Sequence, residues 1–290
     1  MNARGFYMGM SLVVLSWGFN YVITKIGVGH FAPADFVFWR FLATTLLTVP
    51  WMIKTRPKTL RQYGKVAILG LVGVSFYQWA FTQALKETLA ANVAFLFDVS
   101  PLITLIGQRL LRLRASTPGM FVGAGVSLVG VALLVGASRG GSLQGDGMAL
   151  VAALAWAAFT LLTDKFRVPV KGIALTGWMS LFGTLGVMPL MTWQHVIPYD
   201  LSVSLSLAYT VLFVTIMGLS LWQNAVLSMG GGKASLYLYL IPVVAAVAGW
   251  VVLGETLNIF EGLGALLIIF GVSLAEGIFR LRTPPSPCPD

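Results

Sequence analysis

Ala90 to Arg109 reads AANVAFLFDVSPLITLIGQR. The stretch is apolar apart from Asp98 in its interior and carries Pro101 three residues later. As a helix it is long enough to cross a bilayer, which takes about 20 residues. Gly231 to Gly249, GGKASLYLYLIPVVAAVAG, echoes it, and Pro242 follows Pro101 by 141 residues in a chain of 290. The same offset sets Ala84 on Ala225, Gly123 on Gly264, Ala124 on Ala265, Gly130 on Gly271 and Asp98 on Tyr239. Earlier in each half an offset of 139 holds, pairing Trp17 with Trp156, Thr24 with Thr163, Trp39 with Trp178 and Pro50 with Pro189. The chain therefore reads as one unit written twice.

Composition decides where such a chain lives. Hydrophobic residues make up 57% and charged residues only 10%, too few charges for the shell of a soluble protein of this size. Apolar runs bounded by charge, Gly or Pro give ten expected helices: 5–24, 33–53, 66–85, 90–110, 118–137, 148–166, 172–193, 204–227, 234–253 and 260–279. The first run, beginning after Arg4, is too long for a signal-peptide core and lacks a small-residue cleavage site, so it is expected to remain as a helix. The single cysteine, Cys288, lies in the tail RTPPSPCPD and has no intrachain partner. It is read as inert, with reversible modification as the second reading.

The net charge of +9 comes from residues confined to alternate loops. Arg4; Lys54, Arg56, Lys58, Arg61 and Lys65; Arg109, Arg112 and Arg114; Lys165, Arg167 and Lys171; Lys233; and Arg280 and Arg282 fall on one side of the expected topology. Only Lys25, Lys86 and Arg139 fall on the other, and Arg40 lies within the second helix. Lys and Arg are retained on the cytoplasmic side, so both termini are expected there and nucleic-acid binding is not. Each half holds five helices, and an odd number makes the second half enter the membrane inverted. The expectation is an all-α membrane protein of two inverted five-helix repeats, residues 1–141 and 142–280, with a cytoplasmic tail at 281–290. Inverted repeats are a common construction of secondary transporters, with the substrate site at the repeat interface near the midplane.

The segments LSWGFNYVITK from Leu15, PADFVFWRFL from Pro33, VSPLITL from Val99 and IPVVAAVAGWVVLGETLNIFEGLGALLIIFGVSL from Ile241 resemble the drug/metabolite transporter superfamily. Within it the chain is similar to ten-helix EamA-type permeases and, in general pattern, to bacterial YddG-type amino-acid exporters. The likeness covers essentially the whole chain. One departure is visible, since the acidic turn LGET at Glu255 is matched in the first half by LRLRA at Arg114. The resemblance also implies that the fifth and tenth helices lie behind the cavity, packed against the fourth and ninth. A basic residue like Arg40 is a recurring feature of the second-helix run.

Polar groups at membrane depth are costly and need a reason. Asp98 and Arg40 lie at similar depth, and an ion pair between them is expected. Two roles stay open for it: holding the first half together, or coupling to substrate or protons. Ser16, Asn20 and Thr24 share a face of the first helix, and Trp156, Thr160 and Thr163 one of the sixth. Ser75, Gln78, Trp79 and Thr82 form a third stripe, and Ser220, Gln223 and Asn224 a fourth. Such side chains commonly serve helix–helix hydrogen bonding. Together with Trp17, Tyr77, Trp79, Trp156, Trp222, Tyr237 and Tyr239 they suggest instead a mostly apolar cavity with a few orienting groups. Trp51 and Trp193, near helix ends, read as interface anchors. Gly119 and Gly123 in GxxxG spacing, with Gly130, Gly264 and Gly271, read as close helix packing. The run Gly230 to Gly232 is a hinge or a turn.

An aromatic and amide lining with at most one unpaired charge suits a small amphiphile or a zwitterion with an apolar side chain. It suits a phosphate poorly, since phosphate would want several cavity cations. His30 and His195 fall in expected outer loops and no metal-ligand or nucleophile constellation appears, so neither an enzyme nor a cofactor is expected. The expected function is export of small metabolites, foremost neutral or aromatic amino acids, across the bacterial cytoplasmic membrane, with lipid around the protein and a proton as a possible coupling ion. Efflux of lipophilic drugs and a passive channel are the alternatives, and a monomer and a homodimer are both open.

Overall fold

In the computed structural model the described residues are 3–136, 141–193, 201–253 and 259–277, with backbone only at residue 3 and at 248–253. Glu255, His195, Arg139, Arg280, Arg282, Cys288 and the 281–290 tail lie outside them. The described residues are helical, with short connections and no strands.

Nine helices are long and apolar enough to span a bilayer among the described residues: α1 Ala3–His30, α2 Pro33–Lys54, α3 Leu60–Glu87, α4 Ala90–Leu110, α5 Pro118–Val135, α6 Leu143–Phe166, α7 Gly172–Leu190, α8 Leu201–Met229 and, last in the chain, α10 Ile259–Glu276. Between the last two lies the shorter apolar α9, Gly231–Val247. The ten expected helices are therefore present, several of them longer than their apolar runs. α3 starts at Leu60 because Thr59 caps it, its hydroxyl accepting from the Gln62 amide. Ser142 does the same for α6 through the Gly145 amide. Polar first turns thus extend helices beyond the apolar stretch. His30 ends α1 and is not in a loop.

α4 is broken. Its first half, Ala90–Phe97, stops at Asp98 and Val99, and a second helix runs Ser100–Leu110 with Pro101 in its first turn. Proline lacks an amide to donate, and the first helical turn is where that lack costs nothing. The break therefore lies just before Pro101. α9 repeats the device, with Gly231–Leu236, a 3₁₀ turn at Tyr237–Leu240, and a new helix from Ile241 that carries Pro242 in its first turn. The internal likeness extends to α3 and α8, each of which passes through a π-helical stretch, Leu71–Phe76 and Thr210–Leu219. π-Turns inside α-helices are uncommon and cluster at functional sites.

The most extensive helix pair is α5 with α10. A methyl group on Gly123 would stand 2.4 Å from the Gly271 carbonyl, and one on Gly264 2.6 Å from the Gly130 carbonyl, so these backbones meet with nothing between them. Close approach of this kind drives association where lipid offers no hydrophobic gradient. The pair backs onto α4 and α9. α2 packs on α7 and α3 on α6, leaving α1, α3, α6 and α8 around the centre. Leu46, Leu47, Trp51, Ile53, Leu266 and Phe270 are exposed on the outer faces, as lipid-facing residues are. Trp51 and Trp193, 48% and 52% exposed, stand near helix ends.

Candidate functional site

At mid-depth, α1, α2, α3, α4, α6, α8 and α9 enclose a cavity of about 30 Å³. Trp17, Tyr21, Phe41, Tyr77, Phe81, Phe97 and Trp156 form its aromatic wall, and Asn20, Arg40, Gln78 and Thr215 are its polar groups. The rings interlock: Trp17 and Trp156 meet edge-on at 5.3 Å, and Tyr77 lies 4.9 Å from Trp156. Cavities that hold drug-sized ligands run to about 300–1,000 Å³, whereas this one has room for roughly a water or two. The structure is therefore contracted around its centre.

Arg40 dominates the polar chemistry. It is 1% exposed, its Nε donates to Thr215 Oγ1 at 2.9 Å and its Nη1 to Gln78 Oε1 at 3.3 Å, and its guanidinium carbon lies 5.1 Å from the Phe41 ring centroid. No carboxylate pairs with it among the described residues. A buried guanidinium held only by neutral acceptors and a ring keeps much of its desolvation cost, and its Nη2 makes no hydrogen bond among the described residues. The π-helical stretch of α8 supplies Thr215, whose hydroxyl itself donates to the Thr210 carbonyl five residues back.

The expected Asp98–Arg40 ion pair is not formed. Asp98 does not line the cavity, although it is 2% exposed and its Oδ2 is buried without a hydrogen-bond partner among the described residues. The reason is the break in α4: Asp98 ends the first half-helix, its amide bonded to the Ala94 carbonyl, and it stands within electrostatic reach of Tyr21 and Tyr239. Its neighbour Phe97 faces the cavity.

The other expected residues divide. Trp17, Asn20, Arg40, Tyr77, Gln78 and Trp156 are on the cavity wall, while Trp222 is fully buried behind it, 5.2 Å from Trp156 and 5.6 Å from Trp17. Trp79, Thr82, Thr160, Gln223, Asn224, Tyr237 and Tyr239 are not on the wall. The Thr82 hydroxyl donates to the Gln78 carbonyl of its own helix, and Gln223 Nε2 reaches Thr176 and Met179 of α7, the helix-joining role open to such groups from the start. Tyr237 packs edge-on against Phe6, 5.4 Å away, near one end of the bundle. Tyr239 is fully buried in the cluster around α5 and α10. The four polar stripes therefore do not share one cavity. Wall residues absent from the expectation include Tyr21, Phe41, Phe81, Phe97, Val214, Thr215, Leu219 and Ile241.

Both ends of the central space are tied shut. At the end where α4, α6 and α8 finish, Asp164 is 3% exposed and accepts from Arg114 Nε and Nη2, each at 3.4 Å, from Arg167 Nη2 at 2.9 Å and from the Gly231 amide at 3.4 Å. Arg114 also donates to the carbonyls of Leu227 at 3.1 Å and Ser228 at 3.4 Å, and the Gly232 amide donates to Gln108 Oε1 at 2.8 Å. This latch joins α6, the α4–α5 connection, the end of α8 and the start of α9. At the opposite end Lys25 donates to the Thr88 carbonyl at 2.9 Å, and Thr88 and Asn92 bond Asp146 at 2.8 and 3.2 Å. The repeat offset of 139 places Lys25 on Asp164, so equivalent positions of α1 and α6 tie the two ends with opposite charge.

A family model described as the EamA-like transporter family matches residues 5–136 and again 143–276. Among curated relatives, the "Uncharacterized transporter YyaM" of Bacillus subtilis is 25% identical over 91% of both chains. The "Probable amino-acid metabolite efflux pump" of Salmonella typhimurium is 26% identical over 93% of this chain and 94% of that one. The "Uncharacterized inner membrane transporter YedA" of Escherichia coli is 26% identical over 89% and 86%. A solved crystal structure superposes with a TM-score of 0.78 at 17% identity, covering 96% of this chain and 98% of that one, and shares the fold. With two matches that each take in five of its membrane helices, this multi-pass membrane protein belongs to the EamA-like transporter family.

Proposed function

We propose that the protein exports small carboxylate-bearing metabolites, foremost neutral and aromatic amino acids, across the bacterial cytoplasmic membrane by alternating access. The observation that carries this reading is Arg40, a buried cation on an aromatic wall with neutral hydrogen-bond partners and no counter-carboxylate among the described residues. A cargo carboxylate would complete its pairing, and guanidinium–carboxylate pairing is strong and directional. The surrounding rings suit an apolar or aromatic side chain. The name of the Salmonella typhimurium relative points to the same cargo class. Lipophilic cations fit less well, since Arg40 would repel them.

The two halves, residues 1–141 and 142–280, rock against each other in this reading, with both termini in the cytoplasm as the Lys and Arg distribution directs. A contracted cavity tied at both ends supports an occluded intermediate in place of an open channel. Accumulated metabolite can leave downhill, and Asp98 is the group available for coupling to a proton. The test is counterflow in proteoliposomes with labelled neutral and aromatic amino acids. Saturable, trans-stimulated exchange that Arg40→Gln abolishes is expected. Linear flux without trans-stimulation would establish a pore, and exchange of lipophilic cations alone would establish drug efflux.

A further inference from the structure

The connection from α2 to α3 builds a second site, remote from the central cavity. Ile53 to Lys58 and Tyr63 shape a concave surface of about 820 Å³, into which Lys54, Arg56 and Lys58 present three cations and no carboxylate. None of the three forms an ion pair among the described residues. The loop backbone is held in place. Trp178 Nε1 of α7 donates to the Thr55 carbonyl at 3.3 Å and its ring meets Tyr63 edge-on at 5.4 Å, while the Lys58 amide donates to Gln62 Oε1 at 2.7 Å and Pro57 is buried. The N-terminus of α3, capped by Thr59, adds its partial positive charge beside the cations.

The geometry points to a binding site for the headgroup of an anionic phospholipid, its phosphate on Lys54, Arg56 and Lys58 and its acyl chains along the adjoining helix face. Depth selects a lipid over a soluble anion. Trp51 and Ile53, 48% and 71% exposed, lead directly into the basic run from the lipid-facing side of α2, and Leu60, 89% exposed, follows it. A polar concavity rimmed by exposed apolar residues beside an exposed tryptophan lies at headgroup level. Basic clusters directly after a membrane helix bind anionic lipid with about 1 kcal/mol per Lys or Arg. α2 and α7 are packed together here, so an occupied site would brace the two halves of the protein at this face.

The test titrates the full-length protein in detergent with phosphatidylglycerol and with phosphatidylcholine, reading bound lipid by native mass spectrometry. The K54Q/R56Q/K58Q variant is compared with R109Q/R112Q/K165Q, which removes the same charge from exposed residues at the same end of the bundle. The pocket variant is expected to lose phosphatidylglycerol affinity by about tenfold or more, and the control variant by less than about twofold. Equal losses in the two variants would show a diffuse surface potential and overturn the site, as would equal affinity of the unmodified protein for the two lipids. Displacement of phosphatidylglycerol by millimolar inorganic phosphate would reassign the pocket to a soluble anion. The intermediate variant R56Q is expected to fall between the unmodified protein and the triple variant.

Discussion

Replacing Asp164 with Asn should open the latch end of the bundle without unfolding it. The Asp164 carboxylate is held by four N–H groups, two of them on Arg114, but their contacts are not equivalent. The shortest, from Arg167 at 2.9 Å, comes from the residue just past the end of the same helix, at i,i+3, and cannot hold helices together. The contacts that join elements are the two from Arg114 and one from the Gly231 amide, all at 3.4 Å. A hydrogen bond to a charged group is worth about 1.5–3 kcal/mol at good geometry. Long distances and the 28% exposure of the Arg114 side chain reduce this, leaving about 1–2 kcal/mol for the inter-helix part. That shifts the closed-to-open ratio by about 5- to 30-fold. Thr160, one turn from Asp164 toward the cavity and 0% exposed, reports the change when replaced by Cys in a Cys288→Ser background. In inside-out vesicles a membrane-impermeant maleimide should label that cysteine about 5- to 30-fold faster once Asp164 is Asn. Arg114→Gln should do at least as much, because it also removes the bonds to Leu227 and Ser228, whereas Arg167→Gln should leave the rate unchanged. Labelling at the original rate in a folded Asp164→Asn protein would refute the latch, and so would equal effects of Arg114→Gln and Arg167→Gln.

Three further outcomes are expected. Arg40→Gln should lower exchange of amino acids by about tenfold or more, consistent with loss of a charge-assisted pair, while Arg40→Lys retains part of it; proteoliposome exchange of leucine or phenylalanine measures both. Asp98→Asn should lower transport, since Oδ2 is a buried oxygen without a partner among the described residues and any coupling through it needs an ionisable group; full activity with an unchanged pH profile would remove Asp98 from coupling. Gly264→Leu should part α5 from α10, because even a methyl there would meet the Gly130 carbonyl at 2.6 Å. Overpacking of this kind costs about 1–3 kcal/mol, visible as a lower melting temperature in detergent.

The internal repeat was legible because it is written in residue types whose constraints are local. Proline disfavours a helix interior, although α2 absorbs one at Pro50, and Pro101 and Pro242, each in the first turn after the break, marked the interruptions of α4 and α9. Glycines in step on α5 and α10 marked the closest helix contact, since a small residue is needed wherever two backbones touch. Thr215 carried no such mark. It lies in the apolar run VLFVTIMG, and the π-helical stretch around it turns more slowly than an α-helix, so a 3.6-residue period assigns its neighbours to the wrong face. Gln223 stood in a polar stripe read as cavity lining, yet its amide is turned to α7, because a repeat conserves backbone position and leaves side-chain partners to whichever helix packs alongside.

Sequence alone determined the membrane class, the ten helices and the doubling of the chain, all of which follow from apolar length, helix-breaking residues and spacing along one dimension. The tertiary structure decided who faces whom. Asp98 and Arg40 hold similar places in their apolar runs, and such places are readable from sequence, but the half-helix ends at Asp98 and it is Phe97 that stands on the cavity wall. Arg40 is left to Gln78 of the next helix and to Thr215, 175 residues away on α8. Rotation about a helix axis is set by packing against neighbours, and no pattern along a single segment records it.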